Sequence, residues 1–225
     1  MDVFEAVASR YSCRAFLPTP VPEATVRDII ERAVRAPSAG NMQPWRIYAI
    51  AGKRIEALKA LMAPRMGELP AGEGAEYQIY PDPMGEPYRA RRFEVGDLLY
   101  QSIGVPRADK PARYRQYSRN YQFFGAPVGL FFALERRFGL AQWADIGGLL
   151  QTVTILARGH GLHTCPQQAW VSFHGTVRSF LNIPQELIVY SGMSLGFADE
   201  SAPINAWRTP RAPLDSYASF EGFER

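Results

Sequence analysis

Ala36-Pro37-Ser38-Ala39-Gly40-Asn41-Met42-Gln43-Pro44-Trp45, running on into Arg46-Ile47-Tyr48-Ala49-Ile50, is the stretch on which the fold reading turns. Pro37 ends any helix before it, since the residue preceding a proline is pushed out of α geometry. After Pro44, the aromatic and β-branched residues of 45–50 predict a strand. In the loop between, Gly40 permits close backbone approach. Ser38, Asn41 and Gln43 supply donors and acceptors suited to a flat heterocycle carrying imide and hydroxyl groups.

Upstream, Pro22 fits a first helical turn, Glu23 favours its positive end, and Val26, Ile29, Ile30, Ala33 and Val34 form an i, i+3, i+4, i+7, i+8 stripe. A shorter helix is expected from about Asp2 to Ser9. Downstream, Ile55, Leu58, Leu61 and Met62 predict a helix, and the Pro-, Gly- and Glu-rich 64–87 stretch reads as a long mobile insertion. Helical character returns over 89–124, broken near Gly104-Val105-Pro106. A buried strand is expected over 127–133, the longest helix over 143–158, a turn around 164–169, a helix near 175–181 and a strand from Leu187 towards Gly196. The last stretch, 198–225, has too few spaced apolar residues for its own core, so it must pack on something else, a partner subunit being one option. Helices first, then strands interleaved with helices, is an α+β order in one domain spanning 1–225, with 64–125 as an inserted lid region.

Composition narrows the function classes. The 225 residues are 47% hydrophobic and 21% charged, enough for a substantial core. The net charge of +3 and the interspersing of bases with acids argue against a nucleic-acid partner. Lys53, Lys59 and Lys110 are the only lysines among 25 cations, and the arginine bias suits bidentate contacts to phosphate or carboxylate as well as a GC-rich genome. Cys13 and Cys165 lack a CxxC partner, no apolar run approaches ~20 residues, and Met1-Asp2 begins no signal peptide. A cytoplasmic protein with free thiols and no membrane partner is expected. GxGxxG, GxxxxGK[ST] and HExxH are absent, and His160, His163 and His174 are too few and oddly spaced for a metal site, so none is expected.

What remains is anion and amide chemistry. Arg10, Ser12 and Arg14 alternate, so in an extended segment they face one side and offer two guanidinium forks and a hydroxyl to one anion. Together with the 37–45 loop, this Arg-x-Ser-x-Arg start resembles the FMN-dependent nitroreductase superfamily. The resemblance continues through Asp145-Ile146-Gly147, similar to the start of the family's central dimer helix, and through Gly161-Leu162-His163-Thr164-Cys165-Pro166-Gln167-Gln168, similar to its flavin-N5 loop. It extends to Ser191–Gly196 and to Arg208-Thr209-Pro210-Arg211-Ala212-Pro213-Leu214, which matches an Arg-x-x-Arg-x-Pro-Leu ending.

The resemblance implies a three-layer fold with a mainly antiparallel sheet between helices, in an intertwined homodimer with exchanged C-terminal tails. It implies FMN held at its phosphate and ribityl end by Arg10, Ser12, Arg14 and Arg211 with help from Arg208. Ser38, Asn41 and Gln43 would approach from the other side, and Pro166, Gln167 and Gln168 would lie over the ring with a backbone N–H near N5. Asn120 is placed near the flavin. Many relatives carry Glu-Gly where Gln168-Ala169 stands, so the charge beside the flavin differs here. FMN would take hydride from NAD(P)H and pass it to a small aromatic acceptor, a nitroaromatic and possibly carboxylated one, in the same cleft; with the chemistry on the cofactor, no catalytic side chain is expected. Reductive dehalogenation, flavin breakdown or non-catalytic flavin binding are the alternatives. Acceptor specificity is assigned to Tyr88, Arg89, Arg92 and Phe93, aromatic faces beside cations.

Overall fold

The structure, a computed structural model, describes residues 1–223; Glu224 and Arg225, the end of the expected 198–225 tail, lie outside the described residues. Seven α-helices and four strands occur among the described residues: α1 Val3–Ser9, α2 Glu23–Ala33, β1 Arg46–Ala51, α3 Gly52–Met62, α4 Tyr88–Ser102, α5 Lys110–Ser118, β2 Val128–Glu135, α6 Leu140–Gly159, β3 His163–Gln167, α7 His174–Leu181 and β4 Leu187–Gly196. The strands form one antiparallel sheet in the order β1-β2-β4-β3.

Local chemistry accounts for the helix ends. The Asp2 side chain accepts from the Glu5 N–H at 2.8 Å and starts α1; Asp109 accepts from the Ala112 N–H at 2.9 Å and starts α5, with Pro111 in its first turn. On α2 the i, i+4 pairs Glu23–Arg27 and Asp28–Arg32 line the outer face while Val26, Ile29 and Ala33 are buried.

The sheet has helices on both faces because its central strands alternate between two apolar layers. Val128, Leu130, Phe132 and Leu134 of β2 join α2 and α6, whereas Phe131 and Ala133 face α3, α7 and the aromatic cluster around Trp170. The register steps from Phe132↔Ser191 to Ala133↔Val189, leaving Tyr190 as an extra residue. That bulge shifts the parity of β4, so Ile188 before it and Met193 and Leu195 after it reach the same layer. Tyr190 is free to stack on Tyr77 and meet the edge of Trp143.

The expected turn around 164–169 is corrected. Residues 163–167 are strand β3, and the turn gives way to a 3-10 segment at Gln168–Phe173. Pro166 misleads because proline in a strand usually signals a break, yet β3 is an edge strand, where the missing N–H leaves no ladder bond unmade. Its outer side is met by the N-terminal segment: Ser12 bridges Thr164 in parallel fashion and the Cys13 N–H donates to the Thr164 carbonyl at 3.0 Å.

Candidate active site

That bridge sets the Arg-x-Ser-x-Arg segment alongside Pro166-Gln167-Gln168. Buried Asn205 then staples a third segment to the pair: its Oδ1 accepts from the Arg14 N–H at 2.9 Å, and its Nδ2 donates to the carbonyls of Ala15 at 2.8 Å and Asp199 at 2.9 Å. Three and six residues further on come Arg208 and Arg211.

A basic cluster results. Arg208 lies over the Tyr11 ring, 4.0 Å from its centroid. Burial and then the nearby Arg211 charge lower the pKa of Arg10, so the two like charges lie within electrostatic reach of one another. Such mutual repulsion is relieved by a bound dianion. On the same patch, burial and then Arg158 and Arg208 push His163 down to about 4, and Arg158 Nη1 lies 3.2 Å from His163 Nδ1, so the ring is neutral with that nitrogen accepting. The unfolded imidazole titrates near 6.5, so the unfolded chain binds the extra proton first. Stability present above pH ~6.5 is therefore lost as pH falls towards about 4. We expect His163→Asn, which keeps an acceptor towards Arg158, to remove roughly 1–2 kcal/mol of that pH-dependent loss after allowance for solvent screening. Urea unfolding at pH 7 and pH 4.5 measures it.

Beside this cluster lies a cleft of about 580 Å³. Its β3 side carries Arg14, Cys165, Pro166, Gln167, Gln168 and Ala169, and its lid side carries Tyr80, Arg92, Leu99, Tyr100, Gln116 and Tyr117, with Asn120 between. The Gln167 side chain is turned inward: Nε2 donates to the Asn120 carbonyl at 2.7 Å and Oε1 accepts from Ser194 at 2.7 Å. It fixes the loop, leaving its backbone to face the cleft. Gln168 is held from behind by Tyr77 and Ser191. Buried Cys165 has its thiol pKa raised by burial, so it is an inert wall.

Ser38, Asn41 and Gln43 do not join this cleft within one chain. Ser38 Oγ accepts from the Gln43 N–H at 3.0 Å, and the Ala39 N–H reaches Asp145 at the start of α6. Their loop adjoins β1, the opposite sheet edge from β3. Three inter-strand gaps of ~4.8 Å put the two edges roughly 14 Å apart.

The four lid residues separate as well. Arg92 borders the cleft and lies over Tyr80, 4.1 Å from the ring centroid. Arg89 pairs with Glu86 at 2.6 Å, Tyr88 is exposed, and Phe93 borders a neighbouring hollow under Arg107. Sequence reasoning missed Tyr80, Tyr100, Gln116 and Asn205. No motif marks them.

Comparison with known proteins adds to this geometry. The sequence profile described as "Nitroreductase family" matches residues 7–197. The chain is 39% identical to a 4-nitrobenzoate reductase of Pseudomonas putida over all of this chain and 98% of that protein. It is 37% identical to a nitrobenzene nitroreductase of Ectopseudomonas oleovorans over 96% of this chain and 95% of that protein. Among solved structures it is similar to the FMN and NADPH-dependent nitroreductase NfnB of Sphigopyxis sp. strain HMH, with TM-score 0.95, 43% identity, and 99% and 100% of the two chains covered. No helix among the described residues is long and apolar enough to cross a membrane, and no group of three or more His, Cys, Asp or Glu there is placed to hold a metal ion.

Proposed function

The chain belongs to the nitroreductase family, and on that premise we propose that it is an NAD(P)H-dependent FMN oxidoreductase that reduces nitroaromatic acceptors, carboxylated ones among them. The single observation that carries the reading is the adjoining of a self-repelling arginine cluster and an aromatic-walled cleft across β3. Phosphate and ring of FMN need those two environments side by side, so the residues present fit the group.

Arg10, Arg211 and Arg208 would hold the phosphate as charge-assisted donors, with Ser12 on the same side of the segment. Arg14 borders the cleft, where a fixed cation favours negative charge building on a ring edge during reduction. Bound FMN supplies the two-electron carrier between nicotinamide and acceptor. Pro166 to Ala169 present backbone to one side of that space, held rigid by the Gln167–Asn120–Ser194 bonds. Tyr80, Tyr100 and Tyr117 line the other side and keep water out, and Arg92 offers a guanidinium to an acceptor carboxylate.

A symmetric homodimer completes this site. A two-fold contact of α6 and α1 would set the 37–45 loop of a second copy over the cleft that its own chain does not reach. The exposed Val3, Phe4 and Val7 on α1 and Leu214, Tyr217, Phe220 and Phe223 on the tail support it, as apolar area that a monomer leaves in water. So does the unpaired edge of β1, which borders a hollow lined by Val21, Val26, Ile30 and Val128 and offers a seat for a partner's tail.

Steady-state turnover tests the reading. A yellow dimer should consume NADPH or NADH with 4-nitrobenzoate and with nitrobenzene. Arg92→Gln should raise KM for the carboxylated acceptor roughly 10- to 100-fold and leave nitrobenzene within about twofold, as expected for loss of one hydrogen-bonded charge pair. A colourless monomer, or a yellow protein that turns over neither acceptor, would refute it.

A further inference from the structure

We propose that Tyr77 is a positioning residue for the cofactor: its hydroxyl holds the Gln168 side chain, so that the Pro166–Ala169 stretch meets the flavin ring already ordered; this rests on the FMN reading above. The contacts form one directed chain. The Tyr77 O–H donates to the Tyr190 carbonyl, which commits its only proton and leaves its oxygen to accept from Gln168 Nε2 at 3.3 Å. At the other end of the amide, Gln168 Oε1 accepts from Ser191 Oγ at 3.3 Å, but that hydroxyl has one proton and lies closer to the Gly192 carbonyl, at 2.8 Å. Tyr77 is therefore the firmer hold. Gln167 is bound by Asn120 and Ser194, and the Ala169 carbonyl by Tyr121, so of the anchors on this stretch only Tyr77 comes from residues 64–87.

Tyr77 is itself fixed. Its ring meets the edge of Trp143 at a centroid distance of 4.8 Å and stacks on Tyr190 at 6.3 Å. Burial raises its phenol pKa and the Gln168 bond pulls it back only in part, so the hydroxyl is protonated at neutral pH. The residues before it clamp the backbone. Glu76 accepts from Arg178 Nη2 at 3.0 Å, while Glu73 accepts from the Gly175 N–H at 2.8 Å and from Arg65 Nη1 at 2.7 Å. Three residues beyond Tyr77, Tyr80 lines the cleft, as does Gln168. One short segment thus touches the cofactor stretch at Tyr77 and the cleft at Tyr80, and ties the lid to it. A stretch ordered before the ligand arrives binds more tightly, because binding no longer has to order it.

Dilution of the holoenzyme, followed by the return of free-flavin fluorescence, measures Kd for FMN, and competition with riboflavin, which lacks the phosphate, isolates the ring. Tyr77→Phe keeps the ring packing and removes the hydroxyl; Gln168→Met removes the amide and leaves the Tyr77–Tyr190 bond in place. Each should raise Kd for FMN and for riboflavin about 3- to 10-fold, the range of one neutral hydrogen bond. The double variant should lose no more than about twofold beyond either single one, since both remove the same contact. A Tyr77 that only stabilised the fold would weaken FMN by the same factor in the Gln168→Met background as in the parent, and that result would overturn the assignment. So would an unchanged Kd in either single variant, or a loss confined to FMN with riboflavin untouched. Should Tyr77→Phe not fold, Gln168→Met and Ser191→Ala decide: a raised Kd in the first with one within about twofold of the parent in the second sustains the inference, and any other pattern overturns it. A parent that binds no FMN fails the functional reading together with this inference; a parent that binds FMN, with variants indistinguishable from it, fails this inference alone.

Discussion

An Arg10→Gln, Arg211→Gln double variant is expected to bind FMN roughly 10²- to 10⁴-fold more weakly than the parent. Each guanidinium lost removes a charge-assisted hydrogen bond to the phosphate, worth about 1.5–3 kcal/mol, and each 1.4 kcal/mol is tenfold in affinity. The flavin-free variant should be no less stable than the flavin-free parent. Arg10 is half-buried beside Arg211 and its pKa is lowered by burial and then by that neighbour, so removing the two charges relieves a repulsion rather than breaking a contact. Fluorescence titration with FMN and thermal melting of the flavin-free forms read the two quantities separately. Arg27→Gln, Arg32→Gln on the outer face of α2 makes the same change of net charge outside the Arg10–Arg211 cluster and should leave FMN affinity unaltered. Equal losses in both double variants would assign the effect to long-range charge and remove the phosphate cluster from the account.

Trp170→Ala should cost about 3–5 kcal/mol of stability, the range for truncating a large, fully buried aromatic. Its ring is enclosed by Tyr121, Phe123 and Phe131 at centroid distances of 5.2, 4.8 and 5.1 Å, with Gly192 of β4 beneath it. A Cβ on Gly192 would come within 2.3 Å of Trp170 Cδ1, so Gly192→Ala should also destabilise, by about 1–3 kcal/mol of overpacking. The indole N–H has no partner, so packing rather than a hydrogen bond carries the effect, and Trp170→Phe should lose much less than Trp170→Ala. Function follows because Trp170 directly succeeds Ala169, whose carbonyl accepts from the Tyr121 hydroxyl at 2.9 Å. A cavity there loosens the loop facing the cleft, and FMN affinity should fall together with the urea midpoint. A stability loss under 1 kcal/mol would mean the aromatic cluster is not what holds that loop.

Much of the fold was legible because its signals are local. The α2 stripe, the Pro37 stop and the apolar runs at 128–134 and 187–195 each specify their element within a few residues. β3 escaped because Pro166 argues against a strand unless the strand is known to lie at an edge, and edge position is a property of the whole sheet. The parity shift around Tyr190 is likewise a matter of pairing between β2 and β4. At the site, alternation shows that Arg10, Ser12 and Arg14 share a side and the family resemblance supplies the phosphate role, whereas neither marks Asn205: a lone asparagine in a proline-rich tail resembles any turn residue until its three bonds to Arg14, Ala15 and Asp199 are formed. Gln116 is an ordinary glutamine on a polar helix, and only the tertiary fold brings it to the wall of the cleft. The 88–93 cluster shows the reverse. Its composition suggested four substrate contacts, yet helical geometry turns Tyr88 and Arg89 outward and leaves Arg92 at the cleft.

The central claim is that one cleft serves nicotinamide and nitroaromatic in turn, and anaerobic double-mixing stopped flow tests it most directly. NADPH or NADH should bleach the flavin band near 450 nm, a feature of the cofactor, and 4-nitrobenzoate added after the nicotinamide product is removed should restore it fully. Excess nicotinamide product should slow that second phase by competing for the same space. A flavin that reduced nicotinamides do not bleach, or that 4-nitrobenzoate re-oxidises only while nicotinamide product is still bound, would contradict the account.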